Sequence, residues 1–196
     1  MENKRYEFIL SLDPSGAFDE GKGCTGWVLT DGFGNLMRYG QIDAVEFATA
    51  EEYWAKHVEL IEEHNEKYKG KLLVLIEDYV LYPHKFNAQT YSKMETSRLI
   101  GILQITCYNL YQPYTFQRAV EIKSRWSNDV LIREGLMKYK GKYKGYLIRK
   151  KDAWEHVNRH ILDAYRHAQH YTHFKNFNNT TKIVTEVRIS GYDNYR

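Results

Sequence analysis

Three acidic residues and one histidine stand where this sequence could do chemistry. Asp13 follows Phe8-Ile9-Leu10-Ser11-Leu12, whose apolar residues recur at period two, and precedes Pro14 and Gly16, which must end a strand there. Glu77 closes the apolar run Leu72-Leu73-Val74-Leu75-Ile76, which suits a central strand covered on both faces. Asp163 sits one helical turn after His160, at i,i+3 on a helix-patterned segment. Carboxylates at the tips of buried strands are held rigidly, and when grouped they repel unless protonated or bridged by a cation. Oxygen ligands favour a hard divalent ion, Mg²⁺ or Mn²⁺. Taken alone, Asp13 could equally be the cap of the turn that follows it.

The elements that would position these residues can be read in order. Phe8 to Leu12, Cys24 to Thr30 and Leu36 to Ile42 predict an antiparallel three-stranded meander, with Asp31 to Asn35 as a turn. Thr49 with Glu52 is a capping box opening a helix to about Tyr68, with Trp54, Val58 and Ile61 on its apolar stripe. Lys71 to Glu77 is the fourth strand. Ser92 with Glu95 opens a second helix to about Tyr111, its core side formed by Ile100, Leu103, Cys107 and Leu110. Tyr114 to Ile122 reads as a fifth strand, and Ser127 as the cap of a short helix from Asp129 to about Met137. The last helix is predicted to open at Asp152, with Trp154, Val157, Ile161, Ala164 and Ala168 on its apolar stripe. Its neighbouring face would carry His156, His160, Asp163, His167 and His170, and a short strand from Lys182 to Ile189 would follow. A strand–helix–strand crossover within one sheet makes its strands parallel, so Asp13 and Glu77 would emerge side by side if strands one and four are neighbours.

Arranged this way, the chain resembles the RuvC-type Holliday junction resolvases of the ribonuclease-H-like superfamily. The matching pieces are Asp13-Pro14-Ser15-Gly16, Thr25-Gly26-Trp27, Ile76-Glu77 and His160-Ile161-Leu162-Asp163-Ala164, spread over Tyr6 to Ala168. The resemblance implies an α/β fold with a mixed five-stranded sheet (three antiparallel strands, then parallel ones) flanked by helices. It also implies Asp13, Glu77 and Asp163 as catalytic, metal-binding acids with His160 as the fourth member. Many bacterial relatives have an acid at the His160 position, and some have histidine. The loop between Asp13 and Thr25 is longer than the family pattern, and Arg125 to Lys151 looks closer to shorter virus-encoded members, which points to a phage protein. The implied reaction is hydrolysis of a DNA phosphodiester with two divalent ions roughly 4 Å apart, leaving 5′-phosphate and 3′-hydroxyl ends. The substrate would be a Holliday or related branched junction, cut by a homodimer with the helix Ser92 to Tyr111 as candidate interface.

Lys138-Tyr139-Lys140-Gly141-Lys142-Tyr143-Lys144-Gly145-Tyr146 alternates cations with rings and glycines, and Lys150 and Lys151 extend the basic stretch. Such lysines can neutralise phosphates and such rings can stack on unpaired bases; a solvated β-hairpin is the plainer alternative. Tyr82, Lys85 and Phe86, after Glu77, could wedge into a branch point or anchor their own loop. His156 and His160 at i,i+4 raise a zinc site, against the simpler expectation that His156, His167 and His170 are solvated.

With 196 residues, 43% hydrophobic and 27% charged, the chain has the composition of one ordinary folded domain, here 1–196 with a C-terminal extension 172–196. Two distant cysteines, a charged start without a secretory pattern and the lack of any run long enough to span a bilayer predict a cytoplasmic protein with no membrane partner. Two other readings remain open at this level. One is a different nuclease of the same superfamily, an RNase H or a viral DNA-packaging nuclease. The other is a non-catalytic branched-DNA binding protein.

Overall fold

Alternation along β1 (Phe8–Asp13) sets the layout of the protein. Phe8, Leu10 and Leu12 join one apolar core while Ile9 joins another on the opposite face, which leaves Ser11 and Asp13 on the side of Ile9. In this computed structural model, which describes residues 6–19, 21–80, 94–141 and 145–174, β1 pairs antiparallel with β2 (Cys24–Asp31) and parallel with β4 (Leu72–Asp78). β3 (Leu36–Asp43) lies antiparallel outside β2, and β5 (Tyr114–Arg118) parallel outside β4. The order β3-β2-β1-β4-β5 is the mixed five-stranded sheet expected from the sequence. The β2–β3 turn is closed by Asp31, whose Oδ1 accepts the Phe33 and Asn35 amides at 2.9 Å each, while Gly34 takes φ 87°.

Helices α1 (Ala50–Lys67) and α2 (Glu95–Asn109) cover the face of Leu10, Leu12, Val74 and Ile76. Helix α5 (Arg159–Phe174) covers the other, packing Ile161, Leu162, Ala164, Tyr165 and Ala168 against Ile9, Leu73 and Leu75. Two short helices, α3 (Ala119–Arg125) and α4 (Asn128–Arg133), lead into a second sheet of three antiparallel strands, β6 (Met137–Tyr139), β7 (Tyr146–Lys150) and β8 (Ala153–Val157). Met137, Ile148 and Val157 bury this sheet against α5. Among the described residues no helix is long and apolar enough to cross a membrane.

Several sequence expectations change here. The Thr49 cap forms, with Glu52 N–H donating to Thr49 Oγ1 at 3.2 Å, but Glu52 Oε2 accepts from Ala48 N–H rather than from the cap residue. The buried stripe of α1 is Tyr53, His57, Leu60, Ile61 and His64, not the one holding Trp54 and Val58. Two histidines that find acceptors inside the turn (His57 on Tyr53 O, His64 on Leu60 O) rotate the apolar face by one position. In α2 the buried residues are Glu95, Leu99, Leu103, Thr106 and Cys107, with Ile100 and Leu110 only partly covered. That helix starts at Glu95 behind Met94 in the left-handed region (φ 56°), and Ser92 lies outside the described residues. The fifth strand stops at Arg118 and gives way to α3 instead of running to Ile122. α4 ends at Arg133, and Met137 belongs to β6 rather than to that helix.

The largest correction concerns the segment before α5. Asp152 does not open a helix: Lys151 adopts φ 54° in a turn, and 153–157 pairs with β7 as β8. The helix begins at Arg159, where Asn158 Oδ1 accepts the Ile161 amide at 2.9 Å. Trp154 and Val157 therefore leave the helical stripe, and His156 and His160 are on different elements, which removes the i,i+4 zinc pair. The strand expected at Lys182 to Ile189, and the extension beyond Phe174, lie outside the described residues.

Candidate active site

The sheet delivers two of the acids by register. Leu12 is opposite Ile76 in the parallel β1–β4 ladder, so Asp13 and Glu77 leave the sheet at the same level and on the same face. Glu77 is in turn opposite Gln117 of β5. The covering helix α5 presents His160, Asp163 and His167 at i, i+3 and i+7, a single helical face. It comes close because Gly26 has no side chain. A Cβ there would lie 2.1 Å from the His160 carbonyl carbon, so the Thr25-Gly26-Trp27 motif works as the notch that seats the helix start. Gly16 plays the same part for α2, since its Cβ would meet the Glu95 carbonyl at 2.3 Å.

The loop after Asp13 is held from beneath by a buried network. Thr25 Oγ1 accepts the Ser15 amide at 3.1 Å and lies 2.8 Å from His57 Nε2. His57 Nδ1–H donates to Tyr53 O at 2.7 Å, and Tyr53 OH donates to Ser15 O. The ring is thus neutral, and burial pushes its pKa down from 6.5 to about 4. With a depressed folded-state value, stability is fully present above about pH 6.5 and falls as pH drops toward 4, where the unfolded chain takes up the proton first. A difference of that size corresponds to about 3 kcal/mol between pH 7 and pH 4. Urea titrations across this range should show that loss, and His57→Gln should remove the share due to His57. His170, lowered by burial to about 4 as well, and His64, lowered in the same direction, should keep a slope of the same sign in the variant.

At the site, His160 Nδ1 meets Asp13 Oδ2 at 2.8 Å. Burial raises the Asp13 pKa, with the His160 hydrogen bond opposing and the charges of Glu77 and Asp163 adding to the rise. The hydrogen bond to Asp13 in turn raises that of His160. Glu77 is also buried, but the hydrogen bond and charge of His167 and the ammonium of Lys123 outweigh that and hold its carboxyl below the usual range. His167 Nε2 donates to Glu77 Oε2 at 2.8 Å, and its Nδ1 meets the Gln117 side-chain amide at 2.9 Å. Lys123 of α3 places Nζ 3.0 Å from Asp163 Oδ2 and 3.7 Å from Glu77 Oε1. Asp163 is also bound by Arg166, with Arg159 Nε 3.8 Å away.

The four expected residues Asp13, Glu77, His160 and Asp163 therefore come together from β1, β4 and α5. No set of three His, Cys, Asp or Glu side chains among the described residues is closed on a common point as a metal cage. The cluster is instead neutralised by the chain's own cations, with the Lys123 ammonium lodged between two of its carboxylates. Two carboxylates that already share a cation make an oxygen donor set suited to a hard divalent ion. His167 was expected in solvent but is fully buried, because the i+7 position falls under Glu77 rather than outside. Its 3,4 spacing from His160 and Asp163 was the available signal. Lys123 and Gln117 carried no such mark, since their partners are distant in the chain, whereas Arg166 stands at i+3 from Asp163 on the same helix.

The expected DNA-binding residues divide differently. Lys138, Lys140, Lys150 and Lys151 lie on or beside the β6–β8 sheet, while Tyr82, Lys85, Phe86, Lys142 and Lys144 fall outside the described residues. Lys150 is turned toward Tyr39 and Glu155, so it faces the interior side of that sheet. His156 is exposed on β8, as expected of a solvated histidine.

No protein-family model matches the chain, and no curated protein matches it in sequence. Its fold does match solved structures. Thermus thermophilus RuvC in complex with a Holliday junction substrate superposes with a TM-score of 0.60 at 12% identity, covering 90% of this chain and 100% of that one. A second Thermus thermophilus RuvC structure gives 0.58 at 13% identity, covering 90% and 99%. The protein thus has the ribonuclease-H-like α/β fold of RuvC.

Proposed function

We propose that this protein is a structure-selective DNA endonuclease that cuts Holliday and related branched junctions by divalent-metal-dependent phosphodiester hydrolysis. The observation that carries this reading is the approach of Asp13, Glu77 and Asp163 from three separate elements, with Glu77 and Asp163 already sharing the Lys123 ammonium. Support comes from the fold, whose solved neighbours include RuvC holding a Holliday junction.

Asp13, Glu77 and Asp163 would hold the ions, Mg²⁺ or Mn²⁺, two per site. Bound there, divalent ions supply Lewis acidity that activates water and neutralises charge at the leaving 3′-oxygen. The chain's own residues supply the rest. His160 holds Asp13 through Nδ1, which leaves Nε2 to give or take a proton at the scissile phosphate. Lys123 and Arg166 fix Asp163, and His167 fixes Glu77, so the carboxylates are oriented before substrate arrives. Paired cuts on opposite strands require a two-fold homodimer, and α2, with Ile105 and Tyr108 exposed, is the proposed interface. A phage origin and action in the cytoplasm of the infected cell complete the reading.

One substrate panel tests it. Four-way junction, linear duplex and RNA–DNA hybrid are each incubated with and without Mg²⁺, and cleavage of the junction alone, only with Mg²⁺, with 5′-phosphate products, is expected. Preference for the hybrid would move the protein to the RNase H branch. Junction binding with no cleavage would make it a non-catalytic binder.

A further inference from the structure

The β6–β8 sheet has two unlike faces. Register places Met137, Ile148 and Glu155 on one side, and Lys138, Leu147 and His156 on the other. The first side is buried against α5, and Glu155 is used there by Tyr39 OH at 3.1 Å. By the same alternation, Lys140, Arg149 and Trp154 join Lys138 on the outward side. The two carboxylates of the segment are therefore Glu155, turned inward, and Asp152, at the β7–β8 turn. The outward face shows Lys138, Lys140 and Arg149 exposed and no acid on its strands.

Trp154 does not sit in the core, as its position in the expected helix implied. It is partly exposed directly opposite Arg149, and the Lys138 ammonium rests 4.3 Å from its ring centroid. A ring in this position holds a flexible lysine head at a fixed place on the sheet. With one ring face occupied by a cation, the surface suits a charged backbone better than a stacked base. The sheet is also tied to the acid cluster. Asn128 Nδ2 donates to Tyr139 OH of β6 at 2.8 Å, and Asn128 Oδ1 accepts from Arg166, which binds Asp163.

We propose that the outward face of this sheet grips the phosphates of a duplex arm of the substrate DNA through Lys138, Lys140 and Arg149, with Trp154 presetting Lys138. This rests on the nuclease reading above, and it makes the contact a duplex backbone grip rather than stacking of tyrosines on unpaired bases. The test is fluorescence anisotropy without Mg²⁺, using four-way junction, linear duplex and single strand, from about 50 to 200 mM salt. Lys138→Ala and Arg149→Ala should each weaken junction and duplex binding several-fold and lower the log–log salt slope by about 1. Trp154→Leu, which removes no charge, should weaken both duplex-containing ligands about two- to five-fold. Unchanged affinity and slope in both alanine variants, while wild type binds the junction, would overturn this inference and leave the nuclease reading standing. Losses confined to single strand would also overturn it, making the face a base-stacking surface. Failure of the wild-type protein to bind any branched DNA would overturn both.

Discussion

Asp13→Asn should abolish Mg²⁺-dependent junction cleavage, by about a thousandfold or more, while the protein stays folded. A ligand to an ion that stabilises the transition state by several kcal/mol cannot be replaced by an amide, and a thousandfold corresponds to about 4 kcal/mol. The stability change should have the opposite sign from that of an ordinary buried polar residue. Asp13 is buried beside Glu77 and Asp163, and both burial and those charges work against its ionisation. Asparagine keeps the shape and an acceptor for His160 while removing that repulsion, so the melting temperature without divalent ions should stay level or rise. Added Mg²⁺ should stabilise the wild type, as any ligand of the native state does, and should do much less for the variant. A melting temperature that falls on substitution, with cleavage retained, would mean that Asp13 only caps its turn.

His167→Ala should weaken divalent-ion binding by about 10- to 100-fold, the usual cost of losing a residue that orients a ligand. His167 is fully buried and donates to Glu77 at 2.8 Å, with Gln117 fixing the other side of the ring. Without it, Glu77 can turn toward Lys123, which already lies 3.7 Å away, and would have to be pulled back before accepting an ion. Mn²⁺ titration by calorimetry, in the absence of DNA, measures this separately from turnover. Because truncation also leaves a cavity, His167→Gln serves as the companion, since its amide can still donate to Glu77 and should recover part of the affinity. Both variants binding Mn²⁺ like the wild type would reduce His167 to a packing residue. A wild-type protein that binds no Mn²⁺ would instead count against the proposed reaction itself.

The two strand-end acids show how far local pattern reaches. Period two in Phe8 to Leu12, a five-residue apolar run before Glu77, and a Pro–Gly stop after Asp13 are properties of neighbouring residues, and they survive folding because alternation is built into the strand. The Thr49 cap belongs to the same class, whereas Gly26 is required by α5 lying where its Cβ would be, at His160 far along the chain. The β1–β4 register, which sets Leu12 opposite Ile76, joins strands separated by β2, β3 and α1 and is already a tertiary result.

What tertiary structure decided is which side chains complete those elements. Trp154 and Val157 fit a helix by spacing, yet pairing with β7, a partner absent from any local window, makes 153–157 a strand. Lys123, Arg166 and His167 carry polar side chains that by themselves signal solvent. They are drawn inward because two buried carboxylates, Asp163 of α5 and Glu77 of β4, need cations and donors nearby. Charge compensation acts through space, so the acids can be read from the sequence, but the residues that neutralise and aim them emerge only once the sheet and α5 have closed on each other.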